Sequence, residues 1–126
     1  MPWAQSYRQN GTDIVKHTFT FVAVAGVATV ASTVAISGQI LRVVIDPGSP
    51  APTNLYDMTL TDSDSVDVLA GRGADLSDTA TTNICPGTPL KDGTTTSVVP
   101  MVVDSILTLN ITNAGTGVGT VVVYVR

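Results

Sequence analysis

The feature that most constrains this chain is a period-two alternation of apolar and polar residues, repeated in short runs along its length. Val15, His17, Phe19, Phe21 and Ala23 share one face of an extended segment, and Lys16, Thr18 and Thr20 share the other. Tyr56, Met58 and Leu60 alternate with Asp57, Thr59 and Thr61, and Leu107, Leu109 and Ile111 alternate with Thr108, Asn110 and Thr112. Successive side chains of a strand point to opposite faces, so each run offers one face to a core and one to solvent. Val and Thr together make up about 30 % of the residues, well above ordinary usage. Both are β-branched and pack well on a pleated surface.

Turn chemistry divides the runs. Ala25-Gly26 separates the first strand from a second that runs through Val27, Thr29 and Val30 towards Ile36. Gln39 to Asp46 reads as a central strand, with Leu41, Val43 and Ile45 on one face and Ile40, Arg42 and Val44 on the other. Three prolines in Asp46-Pro47-Gly48-Ser49-Pro50-Ala51-Pro52 rule out regular pairing and suggest a loop crossing between sheets. Asp62-Ser63-Asp64-Ser65 turns the chain, and Val66 to Leu69 returns it as a hairpin. Gly71 to Gly93 is irregular, with a helical turn expected near Ala74 to Ala80; so long a connection is usually functional or partner-bound. Ser97 to Val103 is a strand broken by Pro100. Asn113 to Gly117 turns into a last strand, Val118 to Arg126. Seven or eight short strands at this spacing imply an all-β fold, a β-sandwich or jelly-roll-like barrel. Residues 1–13 lack any period and read as an extended N-terminal arm ahead of a single domain spanning 14–126. Trp3 and Tyr7 in that polar arm, with Arg8 beside them, are candidate partner contacts, although Trp3 and Tyr7 would equally suit packing on their own domain.

A chain of 126 residues fits one domain and can hide about two-thirds of its unfolded surface. Cys85 is the only cysteine, so no intrachain disulfide is available, and it is expected as a small buried or half-buried apolar residue. Net charge is −4, and charged residues are 13 % of the chain. The six basic residues are scattered, which argues against nucleic acid and against an anionic membrane surface. Low charge combined with a mean hydropathy of +0.34 suggests that part of the surface is covered by another protein. The N-terminus lacks the apolar region of a signal peptide. Phe19 to Ile36 is about as long as a membrane span, but Thr20, Gly26, Thr29, Ser32 and Thr33 interrupt it, and it reads better as two strands.

No catalytic, cofactor or metal site is expected. Asp62, Asp64 and Asp67 could supply oxygen ligands, yet an EF-hand frame starting at Asp62 places Asp67 where glycine is required and Gly73 where the bidentate glutamate belongs. Aspartate and serine in a hairpin turn have a sufficient backbone reason to be there. His17 is the single histidine, lies on an apolar strand face and reads as a satisfied core or interface residue. Gly71-Arg72-Gly73 lacks the Lys and Ser/Thr of a phosphate loop, no Gly-x-Ser-x-Gly elbow occurs, and the chain contains no glutamate.

Two stretches carry a resemblance. Leu41-Arg42-Val43-Val44-Ile45-Asp46-Pro47-Gly48-Ser49-Pro50-Ala51-Pro52-Thr53-Asn54-Leu55-Tyr56-Asp57-Met58-Thr59-Leu60-Thr61-Asp62 resembles segments of small virion proteins of tailed bacteriophages. So do Leu107-Thr108-Leu109-Asn110-Ile111-Thr112-Asn113-Ala114 and the closing Gly119-Thr120-Val121-Val122-Val123-Tyr124-Val125-Arg126. In texture and turn phrasing, residues 38–126 are similar to the β-rich decoration, or cement, proteins of phage capsids. That resemblance implies a structural, non-enzymatic protein on the capsid surface of a virion, made in the bacterial host cytoplasm. Its partners would be the major capsid protein and itself, as a homotrimer, with no cofactor. A tail, neck or fibre-associated protein is the near alternative. A carbohydrate-binding adhesin-like sandwich is the distant one, with Trp3, Tyr7, Tyr56 and Tyr124 as its candidate aromatics.

Overall fold

The computed structural model describes residues 2–7, 14–89 and 98–126. Among these the fold is all-β, with no helix and eleven strands: β1 (Trp3–Tyr7), β2 (Val15–Val22), β3 (Ala28–Ala31), β4 (Ile36–Pro47), β5 (Asp57–Thr61), β6 (Thr82–Ile84), β7 (Gly87–Pro89), β8 (Val98–Pro100), β9 (Val102–Ser105), β10 (Thr108–Thr112) and β11 (Val118–Val125). All pairings are antiparallel. The larger sheet runs β1-β2-β11-β4-β6, with β9 also on β4; the smaller runs β3-β10-β5, and β7 and β8 form a two-stranded ribbon.

The chain changes sheets where its backbone is freed from extended geometry. β2 stops at Val22, and Ala25 and Gly26 follow at φ 53° and 87°. Glycine takes that region without strain, and alanine does so at some cost. The turn is closed by the Val24 amide donating to the Val27 carbonyl at 2.9 Å, and it delivers the chain to β3 in the smaller sheet. This divides Phe19–Ile36 into two strands, and no helix among the described residues is long and apolar enough to cross a membrane. The proline loop after β4 crosses to β5, as its composition suggests. Gly117 belongs to this crossing: a Cβ there would strike the backbone of Pro52.

A shared core lies between the sheets. The large sheet contributes Phe19, Phe21, Val43, Ile45, Val121 and Val123, and the small sheet contributes Met58, Leu60, Leu109 and Ile111, all fully or almost fully buried. The Phe21 and Tyr56 rings meet at 6.2 Å with planes tilted by 45°. Each large apolar side chain removed from water in this way contributes about 1.5–3 kcal/mol. The inward faces read from alternation on β2, β5 and β10 are the faces found.

On β4 the expected faces hold only in part. Tyr124 pairs with Arg42, but Val125 pairs with Ile40, so Leu41 is an extra residue bulged out of the ladder. A bulge reverses the parity of the residues beyond it. Ile40 and Ile36 therefore join Val43 and Ile45 in the core, with Ile40 2 % exposed and Ile36 0 %, while Leu41 is only half-buried.

Other expectations are corrected. Eleven strands replace seven or eight, because β6, β7 and β8 have three residues each and are too short to show a period. The Gly71–Gly93 region holds β6 and β7, with bends and a single Tyr56–Leu76 bridge from Ala74 to Ala80 and no helical turn there; residues 90–93 lie outside the described set. Pro100, which has no amide to donate, ends β8 before β9 begins. Val66–Leu69 returns beside β5 through a single Thr61–Asp67 bridge rather than a strand. Trp3–Tyr7, read within an extended arm, is an edge strand in register with β2, Trp3 opposite Phe19 and Tyr7 opposite Val15; of the two placements open to Trp3, the structure has the one in which it packs on its own domain.

Candidate interaction surface

Of the three expected contact residues, Trp3 faces inward, 7 % exposed, and stacks on His17. Tyr7 contributes its backbone to the β1–β2 pairing, and Arg8 lies outside the described residues. The structure thus makes Trp3 an anchor of the protein's own edge strand rather than a side chain presented to a partner.

The aspartates of the hairpin are occupied by backbone. Asp62 Oδ1 accepts from the amides of Asp64 and Val66, at 2.9 and 3.0 Å. Asp67 Oδ1 accepts from Leu60 and Leu69, both at 3.1 Å, and its Oδ2 accepts from Gly71 at 3.0 Å. Asp57 accepts from the Asp75 amide at 3.0 Å and from Asn113 Nδ2 at 2.7 Å, and these bonds hold its carboxyl below the ordinary value. Such bonds favour the charged form. Among the described residues no three His, Cys, Asp or Glu side chains gather closely enough to hold a metal ion.

His17 is buried as its strand face implied, 3 % exposed, but its Nδ1 has no hydrogen-bond partner. It is a core histidine that is not fully satisfied, and burial lowers its pKa. Cys85, expected to be buried or half-buried, is exposed just past the end of β6. Tyr56 is completely buried with an unpartnered hydroxyl. Burial first, and the Asp46 charge second, push its pKa up to about 12. With Trp3 and Tyr56 inside, neither can serve as an aromatic platform for a sugar.

The surface that alternation left unassigned is the outer face of the large sheet. Register places its residues in rows across the strands. Lys16, Tyr124 and Arg42 form one row; Ala4, Thr18, Val122, Val44 and Asn83 form the next; Thr20, Thr120 and Asp46 form a third; Val22 and Val118 close the face. Val44, Val118, Val122, Thr18, Thr120 and Tyr124 are half-buried by their neighbours, and Val22 is 63 % exposed. Within the four rows, Lys16 and Arg42 occupy the first and Asp46 the third; exposed Arg126, whose backbone pairs with Gln39, continues β11 beyond the first row. Lys16 Nζ lies 5.9 Å and Arg42 Cζ 5.0 Å from the centre of the Tyr124 ring, a geometry in which the ring face attracts both cations. Asp46 stands two rows away, its Oδ1 accepting from Thr81 Oγ1 at 3.0 Å. Alternation marks most of these positions as outward-facing, but only the register of five strands shows that they form one continuous face.

No family model, curated protein or solved structure matches the chain.

Proposed function

We propose that the chain is a structural virion protein of a tailed phage, a capsid decoration protein on a β-sandwich scaffold. In this reading it assembles as a homotrimer and clamps neighbouring major capsid subunits on the head surface. The observation that carries the reading is the outer face of the large sheet, a broad surface rich in Val and Thr whose four rows hold only Lys16, Arg42 and Asp46 as charged residues. A monomer gains nothing from a wide, weakly charged face, whereas interface cores are depleted of charge. The resemblance of residues 38–126 to cement proteins supports the head as the location. A lattice multiplies modest contacts into firm attachment. The jelly-roll variant of the fold belongs to the same proposal.

The test combines light scattering on the purified chain with cryo-electron microscopy of particles from cells that produce it. A trimeric mass and density for the chain on the outer head lattice are expected. A stable monomer at high concentration, with the chain absent from heads, overturns the reading. Density at the tail or neck instead would favour the near alternative.

A further inference from the structure

We propose that the outer face of the large sheet pairs with the same face of a second copy, about a two-fold axis that crosses the strands at the Val122 row. This rests on the reading of that face as a protein-contact surface and names its occupant. On the shell, such a contact would join copies from neighbouring trimers, leaving the three-fold contacts to other surfaces.

The argument comes from the order of charges along the face. Arg42 and Asp46 lie on one strand with Val44 between them, and Lys16, Tyr124 and Arg42 occupy a single row. Two sheets can stack face to face with a two-fold axis either along the strands or across them. An axis along the strands lays β2 over β4 of the other copy and brings Lys16 against Arg42, like against like. An axis across the strands at the Val122 row lays each strand over its own copy, reversed. Arg42 then meets Asp46 of the second copy, and Asp46 meets its Arg42, so one contact forms twice, as an isologous interface requires. Lys16 falls over Thr20 and Tyr124 over Thr120, neither of which is charged. The residues on the axis, Thr18, Val122 and Val44, meet themselves and are small enough to let two pleated faces approach to about 10 Å.

The size suits this occupant. At about 3.3 Å per residue and about 4.8 Å between strands, β2, β11 and β4 over about seven residues each, with the five residues of β1 and the three of β6, cover roughly 460 Å² per copy. The pair would bury about 900 Å², in the range of weak, transient contacts. That predicts weak pairing in solution and firm pairing where a lattice holds the copies close.

The experiment uses the full chain with Cys85→Ser, so that an introduced thiol is the only one. Val122→Cys lies on the proposed axis, and Val44→Cys on the same row serves if the first variant folds poorly. Thr59→Cys, exposed on the smaller sheet, is the control. Under mild oxidation Val122→Cys should form disulfide dimers at least tenfold faster than Thr59→Cys. Adding Arg42→Asp or Asp46→Arg should abolish that advantage, and adding both should restore it. Equal rates at the two cysteines, or no restoration by the double reversal, overturns the pairing. If Arg42→Asp abolishes the dimer and heads still bind wild-type chain, both readings stand. If heads bind a chain that never cross-links through Val122, the pairing falls and the decoration reading survives. If cross-linking follows the charges and no head binds the chain, the pairing stands alone.

Discussion

The Trp3 indole lies on the His17 imidazole with ring centroids 5.7 Å apart and planes inclined by 17°. The contact ties an edge strand, β1, to the large sheet through two buried rings, each with a nitrogen that has no partner, Trp3 Nε1 and His17 Nδ1. An unpaired buried donor or acceptor costs about 1–3 kcal/mol, so the stack holds against a penalty and depends on the imidazole staying neutral.

Stability should therefore fall in mild acid. Burial lowers the His17 pKa below its ordinary 6.5, so as pH drops the unfolded chain takes up this proton first. The contribution is complete above the unfolded value and is lost progressively as pH falls from about 6.5 towards the lower folded value. Thermal melts should be level above about pH 7.5 and decline below about 6.5, and His17→Phe should flatten that slope. Asp57 acts in a separate window: its depressed carboxyl withdraws stability only as pH falls below 3.8. A melting profile for His17→Phe with the wild-type slope would refute the assignment.

Asp67 should matter to the fold and not to a ligand. Its carboxylate accepts from three amides, those of Leu60, Leu69 and Gly71. Asp67→Ala strands these donors and should cost roughly 1–3 kcal/mol by chemical denaturation. Asp67→Asn keeps the Oδ1 acceptor and should cost less. A metal chelator should leave the melting temperature of the wild-type chain unchanged, and a marked drop would revive a cation at the hairpin.

The bulge at Leu41 makes neighbouring residues unequal. Ile40→Ala removes a side chain that is 2 % exposed and should destabilise by about 2–5 kcal/mol. Leu41→Ala, at the half-buried extra position, should cost less than half as much. Equal losses would mean that the strand keeps its simple alternation.

What could be read in advance followed the length of each run. β2, β5 and β10 alternate over five to eight residues, enough for the period to name the buried faces. β6, β7 and β8 are too short for any period, and their pairing is decided by the strands they meet. β1 carries mixed polar residues with no period, so the sequence leaves open whether Trp3 packs on its own domain; its burial decides the edge position. Alternation cannot report a bulge either, because both Ile40 and Leu41 are apolar and either could face inward. The outer face of the large sheet was hidden for the same reason. Its members come from five strands, most of them far apart in the chain, and only their register lines Lys16 up with Tyr124 and Arg42.

Strand β11 sits at the middle of the large sheet, bonded to β2 on one side and β4 on the other, with Val118 opposite Val22 and Val121 opposite Ile45. During synthesis β2 and β4 must therefore wait, unpaired along those flanks, until β11 has been made. Assembly of the large sheet depends on pairing strands far apart in the chain, a topology of high contact order. A cell making it in bulk has a built-in interval in which unfinished chains can stick to one another.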